Sequence, residues 1–367
     1  MNKMKPDALV FMDRARQELA KITTIDEAKT IRDKAEVLRI YAKKIGKGLE
    51  IQNQCAEIKI RAERKAGELI PKQIKIGGDR KSKTHNGFLK LSNLGIDDHQ
   101  SSRWQLMASI PEDLFEQFIA EIKEKIKELT SFNTIKFATK LKRDKYWKET
   151  EKKGKKIILP KEIPIVEKDF RKALESQQDD SVDLIFTDPP YNEKTIKDFG
   201  DLAKIAKRIL KPKGSLLTYV GHYAIPEVLN LMIPHLKFWW ILAIKHTGPS
   251  ARLPGKWIFV EWKPMLWFVK DGRRDNRYIA DLFESKNPTK ELHDWEQDLS
   301  EAEYYIKQLT YPGDLVLDPF CGLATTLIAA HKNNRRVLGI EKDNKTLLRA
   351  KVRISEYLKE EKLNGKA

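Results

Sequence analysis

The sequence predicts an α/β fold in the C-terminal part of the chain, preceded by an all-α N-terminal domain. From residue 157 onward, short β-branched runs alternate with helical stretches, which is typical of a mostly parallel sheet with helices on both faces. From residue 6 to about residue 70, turn residues are almost absent and apolar residues recur at helical spacing. We therefore expect a helical domain at 1–140, a basic, lysine-dense linker at 141–156 and an α/β domain at 157–362.

The N-terminal domain is predicted to open with two long helices. Thr24 and Glu27 have the spacing of a capping box, and Gly46-Lys47-Gly48 is a stop signal, so the first helix is predicted between them. The second helix is predicted over 49–69. The polar stretch at 76–87 has loop composition and no periodicity, and we expect a loop there.

The segment after this loop resembles a helix-turn-helix. Leu94-Gly95-Ile96 predicts a tight turn, and Asp97 or Asp98 predicts the N-cap of a new helix. This helix carries short or forked hydrogen-bond donors that suit phosphates and base edges. They are Gln100, Ser102 and Arg103. We expect the helix to contact DNA, with a plain three-helix packing module as the alternative.

The composition favours a polyanionic partner. The 367 residues include 70 Lys and Arg against 53 Asp and Glu, a formal net charge of +17. Nucleic acid suits this charge because each phosphate contact releases counterions, although a lysine-rich surface without such a partner is the alternative. No apolar run reaches the roughly 20 residues of a membrane span, and the start lacks the apolar core of a secretion signal. We expect a cytoplasmic protein that contacts no membrane.

The two cysteines, Cys55 and Cys321, do not have the spacing of metal ligands. They also do not form the framework of a disulfide-rich domain. We expect no metal site and no disulfide.

Seven strands are predicted in the α/β domain. They are 163–166, 182–187, 215–220, 239–244, 265–269, 315–317 and 337–341, with helices at 202–210 and 325–331. An acidic residue follows or closes four of these strands at its carboxyl end: Asp169, Asp188, Asp318 and Glu341. Ligands bind at that edge of doubly wound sheets, so we expect the four acids to share one site.

The stretch LVLDPFCGLATT at 315–326 predicts a cofactor site. A strand ends at Asp318, a turn with Gly322 follows, and Thr325-Thr326 opens a helix, so free backbone N–H groups would face a ligand. The next strand ends at Glu341, and an acid in that position typically pairs with ribose hydroxyls. Together these features indicate a cofactor that contains adenosine.

Three motifs resemble those of the β-class DNA amino-methyltransferases. DPFCGLATT resembles their AdoMet-binding motif I, TDPPY their catalytic motif IV and VLGIEKD their motif II. The catalytic motif precedes the AdoMet motif, as in the β class, and the resemblance covers about residues 157–355. It implies S-adenosyl-L-methionine (AdoMet) as the cofactor. The cofactor-binding residues that it implies are Asp169, Asp318, Phe320, Gly322, Thr325, Thr326 and Glu341.

Other segments refine the resemblance. Leu323-Ala324 stands where the family usually has Ser-Gly, so the turn loses one glycine. The family's motif X is not clear, and His293, Trp295 and Gln297 are our candidates to replace it near the methionine end of the cofactor. RAERKAGEL at 61–69 resembles N-terminal extensions of phage-borne and prophage-borne members.

The resemblance assigns catalysis to Asp188, Pro189, Pro190 and Tyr191. An exocyclic amine is a poor nucleophile because its lone pair is delocalised into the ring. The Asp188 carboxylate and the Pro189 carbonyl can each accept one amine hydrogen, which draws the nitrogen toward tetrahedral geometry. The prolines fix the backbone and add no competing donor, and Tyr191 offers a ring on which an extruded base can stack.

The segment at 192–288 is the expected target-recognition region. Within it, 245–252 has loop composition, and His246 and Arg252 are the expected DNA contacts. The target sequence cannot be inferred from these residues.

The sequence therefore predicts a site-specific DNA methyltransferase that acts on double-stranded DNA, with adenine N6 as the expected target. An N4-cytosine or RNA amino-methyltransferase is an alternative, and so is a DNA-binding partition or repressor-like protein with a silent methyltransferase domain. Cytosine C5 chemistry is disfavoured because Cys321, which follows Phe320, lies inside the predicted cofactor turn. A homodimer is left open, and a restriction enzyme partner is not established.

Overall fold

The computed structural model describes residues 14, 15, 17–74, 91–190, 195–246, 250–285 and 299–364. The chain divides into two compact units, Met1–Tyr146 and Trp147–Ala367, and the division falls within the predicted linker. The predicted loop at 76–87 lies outside the described residues, as do Tyr191 and the three candidates for motif X.

The N-terminal unit is helical. Its helices are α1 (Ile25–Lys44), α2 (Leu49–Gln73), α3 (Asp98–Ala108), α4 (Glu112–Glu124) and the first part of α5 (Ser131–Gly154), with a 3₁₀ turn at Leu91–Leu94. The predicted capping box is confirmed: the Thr24 side chain accepts a hydrogen bond from the Glu27 backbone, and the Glu27 carboxylate accepts one from the Thr24 backbone. Helix α1 ends just before Gly46, whose φ is +68°.

The tight turn before α3 is also confirmed. Gly95 adopts a φ of +61°, and the Asp97 carboxylate caps α3 by accepting a hydrogen bond of 2.6 Å from the Gln100 backbone. Helix α3 packs closely on α2, because a Cβ atom on Gly67 would lie 2.1 Å from the Trp104 carbonyl oxygen. Trp104 and Met107 are buried on this side of α3.

The segment predicted as a basic linker, 141–156, is helical as far as Gly154. Lysine is a good helix former, and a high density of lysine does not by itself break a helix. Packing within the C-terminal unit also holds this end of α5. The Arg349 guanidinium contacts Glu151 and stacks on Trp147 at 4.6 Å, and both Thr150 and Gly154 are buried.

The C-terminal unit is built on an eight-stranded mixed sheet in the order β1-β10-β9-β2-β3-β7-β4-β8. Its strands are β1 (Ile165–Val166), β2 (Val182–Thr187), β3 (Leu210–Tyr219), β4 (Lys237–His246), β7 (Trp262–Val269), β8 (Leu282–Ser285), β9 (Leu315–Asp318) and β10 (Arg336–Ile340). Strand β7 is antiparallel to β3 and β4, and every other pairing in this sheet is parallel. A separate antiparallel hairpin consists of β5 (Ala251–Leu253) and β6 (Ile258–Val260).

Helices flank this sheet. They are α6 (Phe170–Ala173), α7 (Asp198–Ile209), α8 (Ile225–Met232), α9 (Ser300–Leu309), α10 (Thr325–Lys332) and α11 (Asn344–Asn364). Every residue of β2 is buried, as expected of a central strand covered on both sides. Leu184 and Phe186 belong to one core with residues of α9 and α10, whereas Ile185 belongs to a second core with residues of α7 and α8.

The predicted α/β class is confirmed, and each of the seven predicted strands has a counterpart. Three strands were missed: β5, β6 and β8. Each has only three or four residues, which is too short to show an alternation of apolar and polar positions. No helix in the described ranges is both long and apolar enough to cross a membrane.

Replacement of Gly154 by alanine should destabilise the C-terminal unit by about 1–3 kcal/mol, because the new Cβ would lie 2.2 Å from the Leu348 carbonyl oxygen. Gly200→Ala in α7 is the matched control, since its Cβ would meet its nearest neighbour, a Leu231 methyl group, at 3.5 Å. The control should be neutral or slightly stabilising. Urea denaturation of both variants tests this, and equal stability of the two would contradict the packing of α5 described above.

Candidate active site

Two adjoining cavities open at the carboxyl edge of the parallel strands. Their volumes are about 500 and 580 Å³, and both are lined by Asp188, Phe320 and Gly322. The smaller cavity also extends to Thr325 and Thr326, and the larger one to Pro189, Pro190 and Glu341. The structure thus brings together most of the catalytic and cofactor residues that the sequence predicts.

Asp318 ends β9 and lies almost completely buried beneath the smaller cavity. Its carboxylate accepts hydrogen bonds from the Thr187 hydroxyl at 2.7 Å and from the Phe320 backbone at 3.1 Å. Burial raises the pKa of Asp318 to about 6, against the opposing effect of hydrogen bonds from Thr187, Thr326 and Phe320. This carboxyl is therefore costly to ionise unless a cation approaches it.

The turn after Asp318 is held in a left-handed conformation. Gly322 has a φ of +51° and Ala324, the N-cap of α10, has a φ of +65°. Alanine adopts this region only at an energetic cost that glycine does not bear. The family that this motif resembles usually has glycine at this position. Ala324 occupies the left-handed conformation in its place and therefore carries backbone strain. Beyond it, the Thr325 hydroxyl accepts a hydrogen bond of 2.6 Å from Arg353.

Glu341 follows β10 and joins its end to this turn. One carboxylate oxygen accepts a hydrogen bond of 3.1 Å from the Gly322 backbone, and the other accepts one of 2.8 Å from the Asp343 backbone. The larger cavity beside Glu341 has an aromatic wall, because the Phe170 and Phe320 rings pack with their centroids 4.9 Å apart.

Asp169 is not among the residues that line either cavity. Its carboxylate caps α6 by accepting a hydrogen bond from the Arg171 backbone, and it forms an ion pair with the Arg171 guanidinium at 3.2 Å. Its chain neighbours Lys168 and Phe170 do line the larger cavity. The acid after the first strand therefore acts locally in this structure, and the ring of Phe170 is the group that reaches the cavity.

Asp188 directly follows β2 and lines both cavities. Its side chain is half-exposed, and its Oδ2 atom accepts a hydrogen bond of 2.6 Å from the Lys263 ammonium. In the described part of the chain, no hydrogen bond reaches the Oδ1 atom of Asp188. One carboxylate oxygen is thus oriented by the protein, and the other is left as an acceptor.

Lys263 was not among the predicted site residues. It lies near the start of β7, with its ammonium 4.2 Å from the centroid of the Tyr219 ring. The Tyr219 hydroxyl donates a hydrogen bond to Glu301, and burial raises the pKa of Tyr219 well above its usual value. Site residues are expected at the carboxyl ends of parallel strands, but β7 is antiparallel, so its start lies at this edge. The signal available in the sequence was a lysine near the start of an otherwise apolar strand.

The predicted DNA-contacting residues lie in both units. In the N-terminal unit, Ser102 and Arg103 are exposed on α3 and Gln100 is half-buried. In the C-terminal unit, Arg252 is exposed on β5, with its guanidinium 5.6 Å from the centroid of the Phe259 ring. The backbone of His246 belongs to β4, and its side chain lies outside the described residues.

The described ranges contain no group of three or more metal-ligating side chains, and neither Cys55 nor Cys321 forms a disulfide there. Cys321 is buried in the turn after β9, and burial raises its pKa well above its usual value. A nucleophilic cysteine needs the opposite environment, so this thiol does not suit attack on a base.

The buried Asp318 predicts a pH dependence of stability. The folded pKa of about 6 lies above the ordinary value of 3.8, so the unfolded chain loses this proton first as the pH rises. Asp318 should therefore cost about 2 kcal/mol more at pH 7 than at pH 4. Urea denaturation of Asp318→Asn and of the original chain at both pH values tests this. From pH 4 to pH 7, the free energy of unfolding of the variant should rise relative to that of the original chain by about 2 kcal/mol. A difference that does not change with pH would contradict the burial effect.

The chain is similar to known methyltransferases over about half of its length. Residues 182–351 match the N6_N4_Mtase family model, which describes a DNA methylase. The chain is 26% identical over 237 residues to the type II methyltransferase M2.DpnII of Streptococcus pneumoniae, covering 52% of this chain and 88% of that protein. It is 25% identical over 239 residues to the type II methyltransferase M2.LlaDCHI of Lactococcus lactis subsp. cremoris, covering 52% of this chain and 89% of that protein.

Among solved structures, the M1.HpyAVI–SAM complex is similar with a TM-score of 0.43 and 23% identity, covering 52% of this chain and 98% of that one. The family match includes β2, Asp188, the turn after β9 and Glu341. Residues 182–351 therefore match a DNA methylase domain.

Proposed function

We propose that the chain transfers a methyl group from AdoMet to the exocyclic amine of a base extruded from double-stranded DNA, with adenine N6 as the target. One observation carries the proposal: Asp188 and the turn from Asp318 to Gly322 line the same cavity. A carboxylate that can receive an amine and a turn that can hold a cofactor thus lie side by side. The family match supports methylation of DNA, and the choice of base is our further proposal.

The larger cavity fits the adenosine part of AdoMet. The aromatic wall of Phe170 and Phe320 suits a purine, and Glu341 is placed at the strand end where a ribose is usually bound. The buried Asp318 offers a negative charge to a cationic ligand. When bound, AdoMet would supply an electrophilic methyl group on a positively charged sulfur.

Asp188 would act on the amine of the target base. Its Oδ1 atom and the Pro189 carbonyl are the proposed acceptors for the two amine hydrogens, while Lys263 holds Oδ2 in place. Pro189 and Pro190 lack a backbone N–H group, so neither competes with the amine as a donor. The amine loses a proton as it is methylated, and the half-exposed Asp188 can pass that proton to water.

The proposal of adenine rests on the TDPPY motif, which is the commoner adenine form in the family that it resembles. Cytosine N4 presents the same combination of an amine beside a ring nitrogen, so the described site does not exclude it. Chromatography of nucleosides from DNA labelled with the methyl group of AdoMet distinguishes the two. Detection of N6-methyldeoxyadenosine would support adenine as the target. Detection of N4-methyldeoxycytidine would support the same mechanism with cytosine as the target.

DNA binding would involve both units. We propose that the helical domain at 1–140 binds DNA through the exposed face of α3, and that the region at 192–288 recognises the target through residues such as Arg252. The net charge of +17 supports a phosphate backbone as the partner.

Asp188→Ala should lower methyl transfer at least about a hundredfold, because the amine loses a charged acceptor. The affinity for AdoMet should stay nearly unchanged. Tritium transfer from labelled AdoMet to mixed-sequence duplex DNA measures the first, and calorimetry measures the second. Glu175→Ala, which removes an exposed carboxylate that lines neither cavity, is the control. Equal loss of AdoMet binding and of transfer would show that Asp188 has a structural role.

Arg103→Ala should weaken DNA binding and reduce the slope of log affinity against log salt concentration by about one, if Arg103 contacts a phosphate as proposed. Lys44→Ala, which removes an exposed cation from the end of α1, should leave both quantities unchanged. Fluorescence anisotropy with a labelled duplex at several salt concentrations tests this. An unchanged slope for Arg103→Ala would refute a phosphate contact by this residue.

A further inference from the structure

The hairpin of β5 and β6 stands apart from the main sheet. It is inserted between β4 and β7, and its two strands pair only with each other, in the register Ala251↔Val260, Arg252↔Phe259 and Leu253↔Ile258. A two-stranded hairpin of this size is marginally stable alone in water. The hairpin therefore adds little to the stability of the domain, and we expect it to contact another molecule.

Large apolar side chains are exposed on this hairpin. Trp257 at its turn is 92% exposed, Phe259 is 60% exposed, Ile258 is 52% exposed and Leu253 is 45% exposed. We call these four residues the hairpin patch. The register places Leu253 and Ile258 on one face of the hairpin and Phe259 on the other, so large apolar side chains are exposed on both faces. Exposure of this kind on an insertion that lies outside the main sheet indicates a surface that another molecule covers.

The charge around the hairpin patch indicates which molecule covers it. Residues 250–260 include Arg252 and Lys256 and no acidic residue. The Arg252 guanidinium lies over the Phe259 ring, so a cation and an aromatic face are presented together. Planar apolar groups edged by cations suit the stacked bases and phosphates of a nucleic acid.

The hairpin is tied to the candidate active site by the chain itself. Strand β6 ends at Val260, and Lys263, which holds the Asp188 carboxylate, follows three residues later. Three residues span at most about 10 Å. The base of the hairpin therefore lies at the mouth of the cavity where the target amine is proposed to bind.

The conformation of Trp257 supports a functional role for its position. Its φ is +57°, in the left-handed region that bulky residues rarely adopt. Backbone conformations of this kind cost free energy and cluster at functional sites. Here the conformation places a large aromatic ring in solvent, where it gains nothing from the protein core.

We propose that Trp257 inserts into the base stack of duplex DNA beside the target base, where it replaces the stacking that is lost when that base is extruded. The inference rests on the proposed function and goes beyond it by assigning base extrusion to a residue outside the catalytic motif. The chemistry requires extrusion because an amine paired in a duplex cannot reach a cofactor in the cavity. An inserted ring lowers the free energy of that step.

The test uses duplexes that carry the methylated motif, once sequencing of modified DNA has identified it. One duplex is fully paired, and in the other the target base is mispaired, which already weakens its stacking and pairing. Trp257→Ala should slow methylation of the paired duplex by about tenfold to a hundredfold, given the usual strength of stacking between a base and an aromatic ring. On the mispaired duplex the rate should return close to that of the original chain.

Two variants complete the experiment. Trp257→Phe keeps a stacking ring and should retain most of the activity on the paired duplex. Ile158→Ala removes a large apolar side chain that is also 92% exposed but lies outside the expected target-recognition region, and it should behave as the original chain does. Calorimetry with AdoMet confirms that each variant is folded and binds the cofactor.

Each outcome supports or overturns the inference. Equal slowing of Trp257→Ala on both duplexes would show that Trp257 contributes to general binding, and the inference would be wrong. Undiminished activity on the paired duplex, with concentration-dependent dimerisation that Trp257→Ala abolishes, would assign the hairpin patch to a second copy of the chain. Undiminished activity without dimerisation would also overturn it. Failure of the original chain to methylate either duplex would instead count against the proposed function.

Discussion

The hydrogen bond from Thr187 to Asp318 joins the two strand ends on which the candidate active site depends. Thr187 is the last residue of β2 and precedes Asp188, and Asp318 closes β9 and begins the turn that leads to Gly322. Both residues are buried, so the bond is shielded from water and fixes one strand end against the other. The proposed catalytic carboxylate and the proposed cofactor turn therefore form one unit, although the bonded residues are 131 positions apart in the sequence.

The remaining parts of the site attach to this unit in the same manner. Glu341 ties the end of β10 to the backbone of Gly322, and Lys263 ties the start of β7 to Asp188. Strands β2, β7, β9 and β10 thus each bring one side chain to the site. A hydrogen bond to a residue from another of these strand ends holds each side chain in place. Preorganisation of this kind suits methyl transfer, where the protein must hold a weak nucleophile and an electrophile in line without a strong base.

Much of this arrangement could be predicted from the sequence, because the strands are parallel and central. A buried parallel strand is a continuous apolar run, and a polar residue at its end must lie at the ligand-binding edge, which located Asp188, Asp318 and Glu341. The same rule failed for Lys263, since strand direction cannot be inferred from a single run of residues. Asp169 follows the same rule in sequence but caps its own helix and lines neither cavity, a difference that depends on side-chain orientation.

Other features depend on contacts between residues far apart in the chain. Residues 147–154 of α5 pack against α11, and no local pattern in the sequence indicates that partner. The exposure of Trp257 was equally hidden, because tryptophan in an α/β domain is usually a core residue. In both cases the composition of the segment was consistent with more than one structure, and tertiary context decided between them.

The most direct test of the central claim is to map modified bases in DNA from a methylation-free bacterial strain that expresses this chain, beside the same strain expressing Asp188→Asn. We expect a methylated exocyclic amine, on adenine in a defined motif, with the original chain and none with the variant. The same modification pattern with both proteins would show that Asp188 does not act on the amine. No modification with the original chain, when calorimetry shows that it binds AdoMet, would contradict the proposal that it methylates DNA.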